Sequence, residues 1–215
     1  MACRRLLLPI IFTTSLLMTA ANASAAAAPT VEGLQSGWDV ANYQLKDKEK
    51  AQAFERIQAD ADLFTKEHPQ VVEGWIWSGI IKSTYAGVKG GFGALGLAKS
   101  ARNDLEAALK IDAQAMHGSA YTSLGALYFK VPGWPVGFGS DKKAQQMLQK
   151  GLDIDPDGSD SNFFFAEFLR DQGKFDEART YYVKAKQAAP RTGRPVANQG
   201  RAQEIDAALN VLNVR

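Results

Sequence analysis

The chain has 215 residues, one cysteine, and 25 Lys and Arg against 23 Asp and Glu. Setting aside Arg4 and Arg5, which open an N-terminal apolar stretch, leaves 23 basic against 23 acidic residues. That balance argues against a nucleic-acid or anionic-membrane partner, since both want a basic excess on one face. The lone Cys3 precludes an internal disulfide, so the rest of the chain must hold together by packing, which about 185 residues can achieve through a continuous helical core.

In chain order, Arg4-Arg5 precede an apolar core from Leu6 to Leu17, followed by Ala-x-Ala choices at Ala21-Asn22-Ala23, Ala23-Ser24-Ala25 and onward to Ala28. This predicts a secretory signal peptide over residues 1–28, cleaved between 23 and 28, because the apolar core is too short and wrongly flanked to span a bilayer. Cys3 precedes that core, so it is not in the place of a lipidated residue. The expectation is a soluble exported protein, in the periplasm rather than the medium, with no integral membrane segment in the mature chain. Residues 29–47 read as a lead-in. Lys48 to Glu67 then predicts an amphipathic helix, with Ala51, Phe54, Ile57, Ala61 and Phe64 at spacings of three and four and His68-Pro69 as the stop.

From there a pattern recurs. It reads Trp75, Ser78, Gly79, Lys82, then Ala101, Leu105, Ala108, with Ala113 in the final place. It reads again as Tyr121, Leu124, Gly125, Tyr128, then Ala144, Leu148, Gly151, Pro156. The third copy is Asn162, Phe165, Ala166, Leu169, then Ala178, Tyr182, Ala185, Pro190. Small residues alternate with bulky ones because antiparallel helices touch only where a small side chain admits a large one. Pro156 and Pro190 lie 34 residues apart, and that period together with these positions resembles the tetratricopeptide repeat. The expected fold is all-α: a tetratricopeptide-like right-handed helical solenoid, with degenerate units over 48–115, two fuller units over 116–192, and a capping helix within 193–215. In that last segment Ile205, Ala208, Leu209 and Leu212 would cover the open end of the array.

Signals of chemistry are weak. Gly91-Phe92-Gly93-Ala94-Leu95-Gly96 fits G-x-G-x-x-G, but no strand precedes it, and Leu97-Ala98 separate the last glycine from Lys99, so neither nucleotide fingerprint holds. His68 and His117 have no ligand neighbours at metal spacing. A nucleophile elbow is absent. The reading is therefore non-enzymatic, with no cofactor and no metal.

What stands out is the content of two predicted interhelix turns. Gly125 to Ala144 spans 19 residues and Gly79 to Ala101 spans 22, where Ala166 to Ala178 spans 12. The extra residues fall in 86–96 and 130–140, which mix glycine with Phe92, Trp134 and Phe138. Both turns should emerge at the same end of the solenoid. They either seal the helix ends or wall a pocket. Pro132 and Pro135 suggest a fixed inward pose for Trp134, and Phe92 is expected to matter more for binding than for folding.

The run Val131-Pro132-Gly133-Trp134-Pro135 with Gly137-Phe138-Gly139, Lys142-Lys143-Ala144, Gly151-Leu152 and Asp155-Pro156-Asp157-Gly158 resembles exported bacterial tetratricopeptide proteins related to the T-component of tripartite ATP-independent periplasmic (TRAP) transporters. Gly193-Arg194-Pro195 and Gly200-Arg201 are similar too. The resemblance implies a helical scaffold with a cleft or pore that associates with a solute-binding protein and accepts a hydrophobic ligand, with oligomer formation left open. It departs in one respect, since no cysteine stands in the lipidation place. Two functions follow as expectations. One is a scaffold binding a protein or peptide on the concave face, through Trp77, Lys82, Ser119, Thr122, Asn162 and Glu167. The other is a carrier of a small apolar ligand between the loops, through Phe92, Trp134 and Phe138.

Overall fold

Thr30 accepts a hydrogen bond from the Gly33 amide (3.0 Å), the side-chain cap that an unpaired first-turn N–H calls for. The structure, a computed structural model, describes residues 28–214. The segment read as a signal peptide lies outside the described residues. Within them nine helices follow one another: α1 (Val31–Tyr43), α2 (Asp47–Glu67), α3 (Val72–Lys89), α4 (Gly91–Ile111), α5 (Ala115–Lys130), α6 (Asp141–Ile154), α7 (Ser159–Asp171), α8 (Phe175–Gln187) and α9 (Pro195–Asn213). The all-α repeat solenoid is thus what the chain forms. The lead-in is more than a lead-in: α1 buries Leu34, Trp38 and Ala41 and pairs with α2, so the array opens with a complete hairpin.

Four antiparallel hairpins, α1/α2, α3/α4, α5/α6 and α7/α8, stack so that the first helices α1, α3, α5 and α7 lie side by side. The small-for-large rule holds at the same place in successive units. A Cβ on Gly79 would stand 2.5 Å from Leu105 Cγ, and one on Gly125 would stand 2.5 Å from Leu148 Cγ. A second recurrence follows from the spacing to the preceding proline. Trp75 Nε1 donates to the Pro69 carbonyl (2.9 Å) and Asn162 Nδ2 to the Pro156 carbonyl (2.8 Å), so a side-chain N–H ties α3 and α7 to the turns before them.

The core divides by position along the array. Leu34, Trp38, Phe54, Phe64, Trp77 and Ile81 gather α1 to α3, and Leu124, Leu148, Phe165, Tyr182 and Ile205 belong to the larger cluster that runs to α9. Met116 packs against both. It does so from an irregular start to α5, where Met116, His117 and Gly118 all have positive φ (49°, 56° and 71°) before the right-handed helix begins. For Met116 and His117 that conformation is unfavourable on its own, and burial of Met116 between the two clusters offsets it.

The two insertions are built differently. Residues 86–96 are no long turn: α3 runs to Lys89, α4 starts at Gly91, and the pair Gly90 (φ 60°, ψ −172°) and Gly91 (φ 59°) reverses the chain. The extra residues lengthen both helices. Residues 131–140 are a true loop, closed by Gly139 N–H to Pro132 O (3.0 Å) and Ser140 N–H to Tyr128 O (2.9 Å). The two are neighbours, as expected: Val131, Phe138, Ala94 and Leu97 pack around Ala86, Ala98, Ala101 and Leu127.

Candidate functional site

The terminal helix does more than cover α8. Ile205, Ala208 and Leu212 join the core beside α8, which is the capping role, but α9 also touches α1. Its first half meets the inner surface of the array. Gly200 lies so close to Tyr43 that a Cβ would stand 2.1 Å from the ring. Arg194 forms an ion pair with Asp39, its Nε 3.2 Å from Oδ2, and its guanidinium lies 5.0 Å from the Trp77 ring centroid. Arg201 places Nε 2.9 Å from Asp160 Oδ1 and Nη1 2.6 Å from Glu204 Oε2, while its guanidinium sits 4.0 Å from the Phe163 ring. Arg191 Nη1 reaches the other Asp160 oxygen at 2.6 Å.

Burial alone would push the Asp160 carboxyl up, but Arg201 and then Arg191 outweigh it and hold the group below its ordinary value. Tyr43, whose hydroxyl donates to Glu204 Oε2 (3.3 Å), is pushed up to about 12 by burial, against the pull of Arg201. These pairs bridge α1, α7 and α9, so the cations of Arg194 and Arg201 are each satisfied by carboxylates and aromatic faces together.

This arrangement decides the fate of the residues expected on the concave face. Trp77 is 2% exposed and lies under Arg194. Lys82 is not on the inner surface: it is buried between the second helices, with Nζ 2.6 Å from both Asp62 and Asp104. Burial works against its charge, but the two carboxylates prevail and raise its pKa. Thr122 is buried where α5 meets Gly151 of α6, Ser119 donates to the Met116 carbonyl (2.6 Å), and Asn162 is wholly buried in the turn contact described above. These five side chains are used in packing and capping. The reason is register: a contact residue of one helix hairpin and a concave residue differ by one position along the helix, about 100° of arc.

Glu167 alone among the six lies by a recess. Phe129, Lys130, Glu167, Arg170 and Asp171 line a hollow of about 350 Å³ at the end of α5 and α7. Glu167 accepts from the Tyr182 hydroxyl and from Arg170 Nη2 (2.9 Å), with Lys130 Nζ at 3.8 Å. Burial and then the Glu167 carboxylate raise the Tyr182 pKa, so its hydroxyl remains a donor.

Trp134 and Phe138 do not form one group. Phe92 lies in the first turn of α4. Phe138 packs edge-on to Tyr128 at 5.8 Å and beneath Arg102 at 4.5 Å. Trp134, expected to point inward, is 90% exposed. Proline restraint fixes the loop backbone but says nothing of which way a tip residue faces, and Phe138 takes the anchoring place. The space between the insertions is filled by alanine, leucine and valine side chains.

What the sequence reading missed is the set Asp39, Tyr43, Arg194 and Arg201. The signal available was the Gly200-Arg201 and Gly193-Arg194-Pro195 pair, whose partners lie at the other end of the chain. Among the described residues no cluster of His, Cys, Asp or Glu could hold a metal, and no helix is long and apolar enough to cross a membrane. Among known families the tetratricopeptide repeat model matches residues 159–192, the unit of α7 and α8. No curated protein matches the chain.

Proposed function

We propose that the protein is an exported periplasmic scaffold, not an enzyme, that binds a segment of a partner protein and works alongside a solute-binding or transport system, in keeping with its resemblance to T-components of TRAP transporters. A tetratricopeptide unit supports the general reading, since such repeats present rigid helical surfaces to protein partners. The observation that carries the site is the division of the inner surface. The first half of α9 covers Asp39, Trp77, Asp160 and Phe163, while Lys130 and Arg170 beside Glu167 keep side chains 55% and 37% exposed. A partner segment would seat against Phe129 with an acidic group toward Lys130 and Arg170 and a donor toward Asp171.

Crosslinking capture from the native host tests this. Lys130→Gln with Arg170→Gln should abolish capture of a partner taken by the unaltered protein, while far-ultraviolet circular dichroism stays the same. Unchanged capture would refute the site. Export is tested separately by mass spectrometry of the native N-terminus, expected between Ser24 and Pro29; a retained Met1 or an acylated Cys3 would defeat it.

A further inference from the structure

The overall neutrality of the chain hides a segregation that the fold makes visible. From Ser83 to Asn103 the sequence holds Lys89, Lys99 and Arg102 and no acidic residue, and from Gly118 to Lys143 it holds Lys130, Lys142 and Lys143 against Asp141 alone. These two stretches include the free end of the middle hairpins, α3/α4 and α5/α6; with Glu106 and Glu167, which lie against Arg102 and Lys130, six basic residues stand against three acidic ones on that edge, an excess of three positive charges. Arg102 lies 3.7 Å from Glu106 and Lys130 lies 3.8 Å from Glu167; Lys89, Lys99, Lys142 and Lys143 are exposed. The adjoining α7/α8 turn, with Arg170 and Lys174 against Asp171, Asp176 and Glu177, does not extend the excess.

In the middle of this edge stands the tip Pro132-Gly133-Trp134-Pro135-Val136, all of it exposed, with Trp134 at 90% and Val136 at 66%. The loop is held from within. Gly137 N–H and Val136 N–H both donate to Gly133 O (3.0 and 3.1 Å), and Phe138 is pinned on Tyr128 and Arg102. An exposed apolar tip flanked in the chain by Lys130 on one side and Lys142 and Lys143 on the other is poorly matched to a nucleic acid, which offers phosphates but no apolar medium for Val136 and the prolines. It is well matched to a bilayer surface, where tryptophan settles at the headgroup boundary and lysines meet anionic lipid.

We propose that this edge docks the protein peripherally on an anionic lipid surface, with Trp134 and Val136 entering the headgroup region and Lys89, Lys142 and Lys143 facing the lipid phosphates. The contact is reversible, because a few apolar side chains and several lysines give far less than a spanning helix. Each lysine near such a surface contributes about fivefold in affinity, roughly 1 kcal/mol. Because the tip is already ordered, little is lost on docking.

Vesicle co-sedimentation with the chain purified from its native host tests the proposal. Vesicles of phosphatidylcholine with about one third phosphatidylglycerol should bind the protein at least tenfold more tightly than pure phosphatidylcholine, and raising salt from about 50 to 500 mM should remove most of that difference. Trp134→Ala should weaken binding at least fivefold, and Lys142→Glu with Lys143→Glu at least tenfold. All three residues are exposed, so the variants fold, which circular dichroism checks. Tryptophan fluorescence should shift to the blue on anionic vesicles and lose that shift in Trp134→Ala.

Equal binding to both vesicle types, no binding to either, or an unaltered affinity in Trp134→Ala would each overturn the proposal. The last would also expose attachment through a retained apolar N-terminus. Binding of a single-stranded oligonucleotide that exceeds vesicle binding and ignores Trp134 would overturn it as well, in favour of a general polyanion site.

Discussion

The two insertions look alike in sequence and fold unlike each other. Residues 86–96 hold glycines and apolar groups without proline, and they become helix: α3 and α4 each gain more than a turn, and Gly90 with Gly91, both at positive φ, makes the reversal. Residues 130–140 hold Pro132 and Pro135, each of which removes an amide donor and clashes with the preceding helical turn, so α5 stops at Lys130 and a loop forms. Glycine weakens a helix by about 1 kcal/mol per residue, which packing can offset, whereas proline in a helix interior costs about 3 kcal/mol or more. Glycine content alone therefore does not make a loop. The difference has a consequence for exposure: the helical insertion buries Ala86 and packs the partly buried Ala94 against its neighbour, and the loop is left with a tip whose Trp134 is 90% exposed.

Substitutions can break or sharpen this contrast. The largest effect is expected at Gly139, where a Cβ would stand 1.8 Å from the Val131 carbonyl oxygen. Gly139→Ala should cost about 3 kcal/mol or force the loop open, read as a fall in the chemical-denaturation midpoint. Phe138→Ala should cost about 2 kcal/mol, since it removes the aromatic contacts with Tyr128 and Arg102 from a partly buried site. A loss no larger than that of an exposed residue would mean the loop is held by its backbone alone. Gly90→Ala should cost about 1–3 kcal/mol, because φ 60° with ψ −172° is open to glycine and little else. If Gly90→Ala is neutral, the reversal is not where the helices meet.

Gly96→Ala should do the opposite. It lies within α4 with open space around it, so the change should stabilise by about 0.4–1 kcal/mol, measurable as a raised melting temperature; destabilisation there would argue that residues 91–96 are not helical. The smallest effect belongs to Trp134→Ala, which should shift stability by no more than about 0.5 kcal/mol because the side chain is solvent-exposed. A loss of several kcal/mol would restore the inward pose that the flanking prolines suggested.

Much of the array was legible because its rules are local. Gly79, Gly125 and Ala166 each mark a helix contact by size alone, and the proline-to-Trp75 and proline-to-Asn162 spacings foretold equivalent turns. The helix over Asp47–Glu67 was evident from its apolar spacing. The helical start was not read in 29–47, although Leu34, Trp38 and Ala41 carry the same spacing, because no second copy of the repeat aligns with it. The candidate concave residues fared worse. Lys82, Thr122 and Asn162 are polar positions that a sequence reading places outward, yet each is buried: Lys82 pairs with Asp62 and Asp104 on other helices, Asn162 donates into the preceding turn, and Thr122 packs against Gly151 of α6.

The sequence by itself determined the helices, their pairing into hairpins and the small residues at their contacts, because these depend on periodicity and on neighbours within one repeat. Only the tertiary structure decided how the ends meet and where charge gathers. Asp39 and Arg194 stand 155 residues apart, so their pairing rests on the curvature accumulated over four hairpins, a quantity that no local pattern encodes. The basic edge likewise exists because the free ends of α3/α4 and α5/α6 lie together. A charge count along the chain averages that away, while the electrostatic field that a partner meets depends on distances in space.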